Sequence, residues 1–232
     1  MDVLVPYAAT RPKTRLAEVL NSAERESFSR AMLADVVDAV AETGAEPTVL
    51  ATAPVELDAP VVVDDRPLSA AVNDRLTATS DPTDHDATDD ERRDGDVATE
   101  ATRRRREDDP TAIVMSDLAV ATPRVLSRFL ESSGDLVVAP GRGGGTNALV
   151  VRHPDFYVDY HGASYLDHLR IARSIGATVR EFDSMRLSTD VDEPNDLVEV
   201  LLHTNGRARD WLLDAGFDVD SRDGRVGVQR ER

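Results

Sequence analysis

Pro140-Gly141-Arg142-Gly143-Gly144-Gly145-Thr146-Asn147 joins two apolar runs, residues 136–139 before it and 148–151 after it. Each run has the length of a buried strand, so the octapeptide is a loop between two members of a sheet. Glycine loses more backbone freedom on ordering than any other residue, so a run of glycines adds nothing to stability. It offers a free choice of φ and close backbone approach, which lets successive N–H groups converge on an anion. The stretch lacks the lysine and the spacing of a P-loop, and a strand follows it in place of a helix, which excludes that motif. Two readings stay open. One is a hairpin turn; the other is a phosphate or carboxylate pocket, to which Thr146 and Asn147 add side-chain donors.

Upstream, residues 112–115 form another apolar strand, ending in Ser116-Asp117-Leu118. An acid at the carboxyl end of a central strand stands where open α/β sheets meet their ligands; loop capping is the alternative. Pro123 at a first helical position opens a helix to Glu131. Downstream, Ser164 and Asp167 have the spacing of a cap for a helix whose core face is Leu166, Leu169, Ala172 and Ile175, stopped by Gly176. Free N–H groups at that helix start suit an anion. After a strand at residues 178–182, Asp190 and Asp192 are two apart and so point to one side of an extended chain. Two converging carboxylates repel unless a cation lies between them, and Mg2+ takes oxygen ligands. The alternative is that Asp192 merely caps a helix over residues 194–203.

At the other end of the chain, residues 3–6 form a short buried strand leading into a loop that carries Lys13 and Arg15. Lys13 is the one lysine among 27 Lys plus Arg. A compact point charge suits polyphosphate, and Arg15 adds a fork of donors; the alternative is two solvated cations. Residues 21–43 form a helix, with Asn21 and Glu24 as a capping box and Phe28, Met32, Leu33, Val36, Val37 and Val40 as its core stripe. Strands follow at residues 47–51 and Val61–Val63, then a helix from about Leu68; its N-terminus can face a nucleotide, and ordinary capping by its polar residues is the alternative. Strands alternating with helices specify an α/β fold: a Rossmann-like, mixed but mostly parallel sheet flanked by helices. Residues 77–109 are nearly devoid of large apolar side chains and read as a disordered acidic insertion, within which His85 is no ligand and Arg103, Arg104, Arg105 and Arg106 are a solvated charge run. Residues 207–232 read as a short helix bearing Trp211, over 210–215, and a polar tail over 218–232. His161 and His168 are expected to be partly buried structural histidines, not metal ligands.

The net charge of −17 argues against a nucleic-acid partner, because phosphate backbones would be repelled. With no cysteine there is neither a disulfide framework nor a thiolate metal site. No apolar stretch approaches a membrane span, and a soluble, cytoplasmic protein without membrane contact is expected. A surface rich in Asp and Glu and nearly free of Lys fits a salty cytoplasm, where self-repulsion is screened.

In order along the chain, these marks resemble the 2-phospho-L-lactate guanylyltransferase family of coenzyme F-420 biosynthesis. They are Lys13-Thr14-Arg15-Leu16, the helix around Ala31-Met32-Leu33-Ala34-Asp35-Val36, Ser116-Asp117-Leu118 and Gly144-Gly145-Thr146-Asn147-Ala148-Leu149. They continue with Ser164-Tyr165 through His168 and with Asp190-Val191-Asp192-Glu193-Pro194-Asn195-Asp196-Leu197. The resemblance implies a nucleotidyltransferase domain over residues 1–206, akin to GT-A glycosyltransferases. It implies a GTP-dependent reaction giving lactyl-(2)-diphospho-(5')-guanosine and pyrophosphate, and a homodimer. It further implies that Asp117, Asp190 and Asp192 hold Mg2+, that Thr146, Gly162 and Ser164 bind the phosphorylated acid, and that Lys13 and Arg15, the catalytic cations, hold the nucleotide phosphates. Ser69 is assigned to the nucleotide, in a segment where Pro67-Leu68-Ser69-Ala70-Ala71 departs from the family's Gly-Leu-Asn-Ala-Ala. Phosphoenolpyruvate and 3-phosphoglycerate are alternative acids, and a nucleotide-sugar glycosyltransferase using Asp190 and Asp192 is an alternative enzyme.

Overall fold

The structure is a computed structural model that describes residues 1–78, 110–221, 224 and 226–231. Beyond its first two residues the 77–109 segment, with His85 and the four arginines, lies outside the described residues.

The strands β1 (Asp2–Tyr7), β2 (Glu46–Ala51), β3 (Val61–Val63), β4 (Thr111–Val114), β5 (Leu136–Pro140), β6 (Thr146–Val151) and β7 (Val179–Glu181) form one seven-stranded sheet in the order β3-β2-β1-β4-β6-β5-β7. Every pairing is parallel except the two made by β6, which runs against both β4 and β5. The sheet is therefore mixed and mostly parallel, as expected. Alternate residues sort the core onto two faces. Val3, Val5, Ala112, Val114, Val137 and Val150 pack with Leu33, Val36 and Val40 of α1 (Ser22–Ala41) and with Phe129 of α3 (Pro123–Leu130). Leu4, Ile113, Val138 and Leu149 face the other way, against Val72 of α2 (Leu68–Ala78) and Ile171 of α4 (Ser164–Ser174). The capping box of α1 is present: the Asn21 Oδ1 accepts from the Glu24 N–H at 3.0 Å and Glu24 Oε2 accepts from the Asn21 N–H at 2.8 Å.

A third cluster brings the C-terminal half onto α1. Phe28 and Met32 pack against Val191, against Leu197 and Val200 of α6 (Leu197–His203), and against Ala208 and Leu212 of α7 (Arg207–Asp214). The short α5 (Met185–Ser188) precedes these. The expected polar tail is corrected here. Residues Phe217–Asp220 (β8) and Gly227–Arg230 (β9) pair as an antiparallel hairpin, and Phe217 is 2% exposed in the same cluster. Arg230 stacks over the Phe217 ring at 4.9 Å and bonds the Ala215 and Val19 carbonyls, so a segment that is mostly charged is held by one aromatic anchor.

Candidate active site

From β1 the chain moves outward to β2 and β3, then returns to place β4 on the other side of β1. The sheet's order reverses between β1 and β4, and at such a switch point the two departing loops part and leave a crevice at the carboxyl ends of the strands. Lys13 lies in the loop after β1 and Asp117 in the loop after β4. The Lys13 ammonium donates to Asp117 Oδ2 and to Asp192 Oδ1, each at 2.6 Å, and Arg15 Nη1 reaches Asp192 Oδ2 at 3.3 Å. Asp192 thus serves the cluster and does not cap a helix. Burial alone would lower the Lys13 pKa, but the charges of Asp117 and Asp192 outweigh it and raise the value. Lys13 holds φ 53 and Arg11 φ 48, a left-handed backbone that costs an L residue energy and that tends to concentrate at working sites.

Asp190 completes the group. Its Oδ1 accepts from Asn147 Nδ2 at 3.1 Å, and the same amide donates to the Leu187 carbonyl at 2.9 Å. Burial first, then the charges of Asp117 and Asp192, raise the Asp190 pKa against the Asn147 hydrogen bond. The Val191 N–H donates to the Asp117 carbonyl at 3.2 Å, which ties the two acidic segments together through their backbones. Among the described residues no three His, Asp or Glu side chains are closed up into a ready cation site; Lys13 bridges Asp117 and Asp192 instead. The donor set itself fits a hard divalent cation, because it is all oxygen and because Asp117 Oδ1 is buried without a hydrogen-bond partner among the described residues.

The cluster opens onto a cavity of about 330 Å³ running beneath the carboxyl ends of β1 and β2. Pro6, Leu50, Leu68, Ala71 and Met115 give it an apolar lining, with Thr52, Asp64 and Arg66 as further polar groups. Sequence reading passed over Arg66. Its guanidinium grips both oxygens of Asp64 and holds that carboxyl down at about 2. The available signal was position: Asp64 and Arg66 directly follow β3, at the same end of the sheet as Lys13 and Asp117.

The glycine stretch is the turn of the β5–β6 hairpin. The Gly141, Arg142, Gly144 and Thr146 N–H groups bond Gly145 O, Ser188 O, Gly141 O and Ser164 Oγ respectively. Only Gly143 and Gly145 keep amides without a partner among the described residues, so the loop is no open cradle of converging donors. Gly141 is needed for space: a Cβ there would lie 2.5 Å from Asn147 Oδ1. Thr146 and Ser164 come together, but both are buried and their polar atoms are engaged. The Thr146 N–H donates to Ser164 Oγ at 3.0 Å, and Thr146 Oγ1 lies 2.8 Å from His168 Nδ1. Ser164 therefore does not cap α4 with Asp167. Ala163 stands at the N-cap without a side-chain bond, and Asp167 pairs with Arg170. Gly162 sits at φ +52 on the exposed rim of the same region. Ser69 Oγ accepts from the Tyr160 N–H at 2.9 Å, one residue from the cavity wall at Leu68. His168 is the structural histidine expected: fully buried, its Nε2 accepts from the Asp159 N–H at 3.0 Å, and burial pushes its pKa down to about 4. His161 differs from expectation, being 80% exposed and paired with Asp159.

A sheet that switches between β1 and β4, with a lysine and carboxylates gathered at the switch, is the frame of a nucleotidyltransferase. Solved structures share this fold. A putative nucleotide-diphospho-sugar transferase from Desulfovibrio desulfuricans G20 superposes with a TM-score of 0.65 at 14% identity over 92% of this chain and 94% of that one. A nucleotidyl transferase from Methanothermobacter gives 0.51 at 16% over 92% and 97%. Curated relatives are far nearer in sequence. The 2-phospho-L-lactate guanylyltransferase of Halomicrobium mukohataei is 55% identical over 99% of this chain and all of its own length, and that of Haloferax volcanii is 52% identical over the whole of both. The family model described as "Guanylyl transferase CofC like" matches residues 1–85 and 77–231. The chain belongs to that guanylyl transferase family.

Proposed function

We propose that the protein joins GMP from GTP to 2-phospho-L-lactate, giving lactyl-(2)-diphospho-(5')-guanosine and pyrophosphate in the cytoplasmic assembly of coenzyme F-420. The observation that carries this reading is Lys13, fixed between Asp117 and Asp192 at the mouth of a nucleoside-sized cavity. The relatives that match end to end bear the name of this activity. The acceptor is a phosphate monoester with a second pKa of about 6, so it is already an anion at neutral pH and needs no general base. The barrier is the approach of two anions at the α-phosphorus of GTP. Lys13, held charged by its carboxylates, offsets that repulsion, and Arg15 at the rim draws the nucleotide phosphates. Asp117, Asp190 and Asp192 would hold Mg2+, which supplies further charge neutralisation on the phosphates. The phosphorylated acid would be received beside Thr146, Gly162 and Ser164, and Ser69 would border the nucleotide.

The test is to incubate the protein with each nucleoside triphosphate and with 2-phospho-L-lactate, phosphoenolpyruvate or 3-phosphoglycerate in the presence of Mg2+, scoring pyrophosphate. Release with GTP and 2-phospho-L-lactate is the expected result. Release only with another acid reassigns the acceptor, and a nucleoside diphosphate released from a nucleotide sugar in a parallel incubation, with no pyrophosphate from any triphosphate and acid, would point to glycosyl transfer.

A further inference from the structure

The two sides of the cavity carry different chemistry. Along the sheet edge, β3 and β4 are separated by β2 and β1, so the groups following them lie three strand spacings apart, roughly 14 Å. On the β4 side the cavity meets Lys13, Asp117 and Asp192; on the β3 side it meets Asp64 and Arg66. Arg66 Nε lies 3.0 and 3.1 Å from the two Asp64 oxygens, and its Nη2 lies 2.6 Å from Asp64 Oδ2 and 3.1 Å from Asp74 Oδ2. Asp64 and Asp74 take up the Nε and Nη2 donors of Arg66, and Nη1 is left without a partner among the described residues. The two carboxylates also fix the plane of the guanidinium, and Arg66 presents only donors. What such an end accepts is a ring with acceptors on its edge. Leu50, Leu68 and Ala71 provide the apolar walls that a flat base needs.

We propose that Arg66, set in place by Asp64, reads the base of the nucleotide, donating to the acceptor edge formed by O6 and N7 of guanine. Adenine presents an N6 amine at that edge, so a donor would face a donor, and ATP is disfavoured. The inference rests on the guanylyl transfer proposed above and names the residue that makes it guanylyl.

Arg66→Gln tests it; the side chain is 48% exposed, so the substitution leaves the packed core intact. Two measurements are compared between wild type and variant: kcat/KM for GTP and for ATP from pyrophosphate release, and Kd for GTP and ATP by calorimetry without the acid. The GTP-over-ATP ratio is expected to fall about tenfold or more in both, with the change carried by GTP. A ratio within about twofold of wild type overturns the assignment, as does an equal loss for both nucleotides, which would place Arg66 on the phosphates. Should wild type release no pyrophosphate with any pair, the transfer reaction falls, while the calorimetric ratio still decides the role of Arg66.

Discussion

Lys13 is the only lysine in the chain, and it reaches Asp117 and Asp192, 104 and 179 residues away in sequence. Lys13→Met removes the cation that offsets phosphate repulsion, and turnover is expected to fall about 100-fold or more in a pyrophosphate assay while the circular dichroism spectrum is kept. Because its pKa is raised, Lys13 stays charged through neutral pH; its contribution to stability is present below about 10.5 and is lost only as pH rises beyond that. His168 acts with the opposite sign. Folding depresses its pKa to about 4, so between 4 and 6.5 the unfolded chain binds the extra proton and stability drops as pH falls. From pH 7 to pH 5 this loss is about 2 kcal/mol. Denaturant titrations at both pH values are expected to show that loss in the wild type and to show its removal in His168→Gln, which starts from a lower stability.

At the scale of elements, the β5–β6 turn and the β8–β9 hairpin do different work. In the turn, Gly141 lies against Asn147, and Asn147 holds Asp190. Gly141→Ala drives a methyl group into that amide and is expected to lower turnover by about tenfold or more, through a 1 Å displacement of Asp190. Gly143→Ala meets open space and is expected to leave the rate within about twofold of wild type. Comparing kcat for the two alanine variants separates a spatial requirement from mere glycine richness. In the hairpin, Phe217 is buried in a cluster with α1 and α7 and does not line the cavity. Phe217→Ala is expected to cost about 3 kcal/mol in urea unfolding and to leave kcat of the folded fraction unchanged. A polar tail would show no such cost.

For the molecule as a whole, a net charge of −17 acts at long range. The screening length shrinks from about 10 Å at 0.1 M salt to about 3 Å at 1 M, so repulsion among the acidic side chains fades as salt rises. The thermal midpoint is expected to rise by about 5 °C or more between 0.1 M and 2 M KCl, read by calorimetric scans. An unchanged midpoint would show that the acidic surface was spaced widely enough to be harmless in dilute buffer. Among the described residues no helix is long and apolar enough to cross a membrane.

By itself the sequence determined the alternation of strands and helices, the core stripe of α1 and the acids at strand ends, because these rest on local periodicity and capping within a few residues. Asp117 and Lys13 were legible for the same reason: each lies where a strand of an α/β sheet runs out. The tertiary structure alone decided that Lys13 stands between Asp117 and Asp192, that two of the four glycine amides in the turn bond the turn's own carbonyls, and that the last residues form a hairpin. Ser164 shows the reason. Its spacing to Asp167 is that of a cap, yet its hydroxyl bonds the Thr146 N–H eighteen residues away, because a buried amide needs a partner and the fold brings that oxygen to it. Arg66 was missed on the same ground: which side chains share a cavity follows from strand order, and strand order is not written in any one segment.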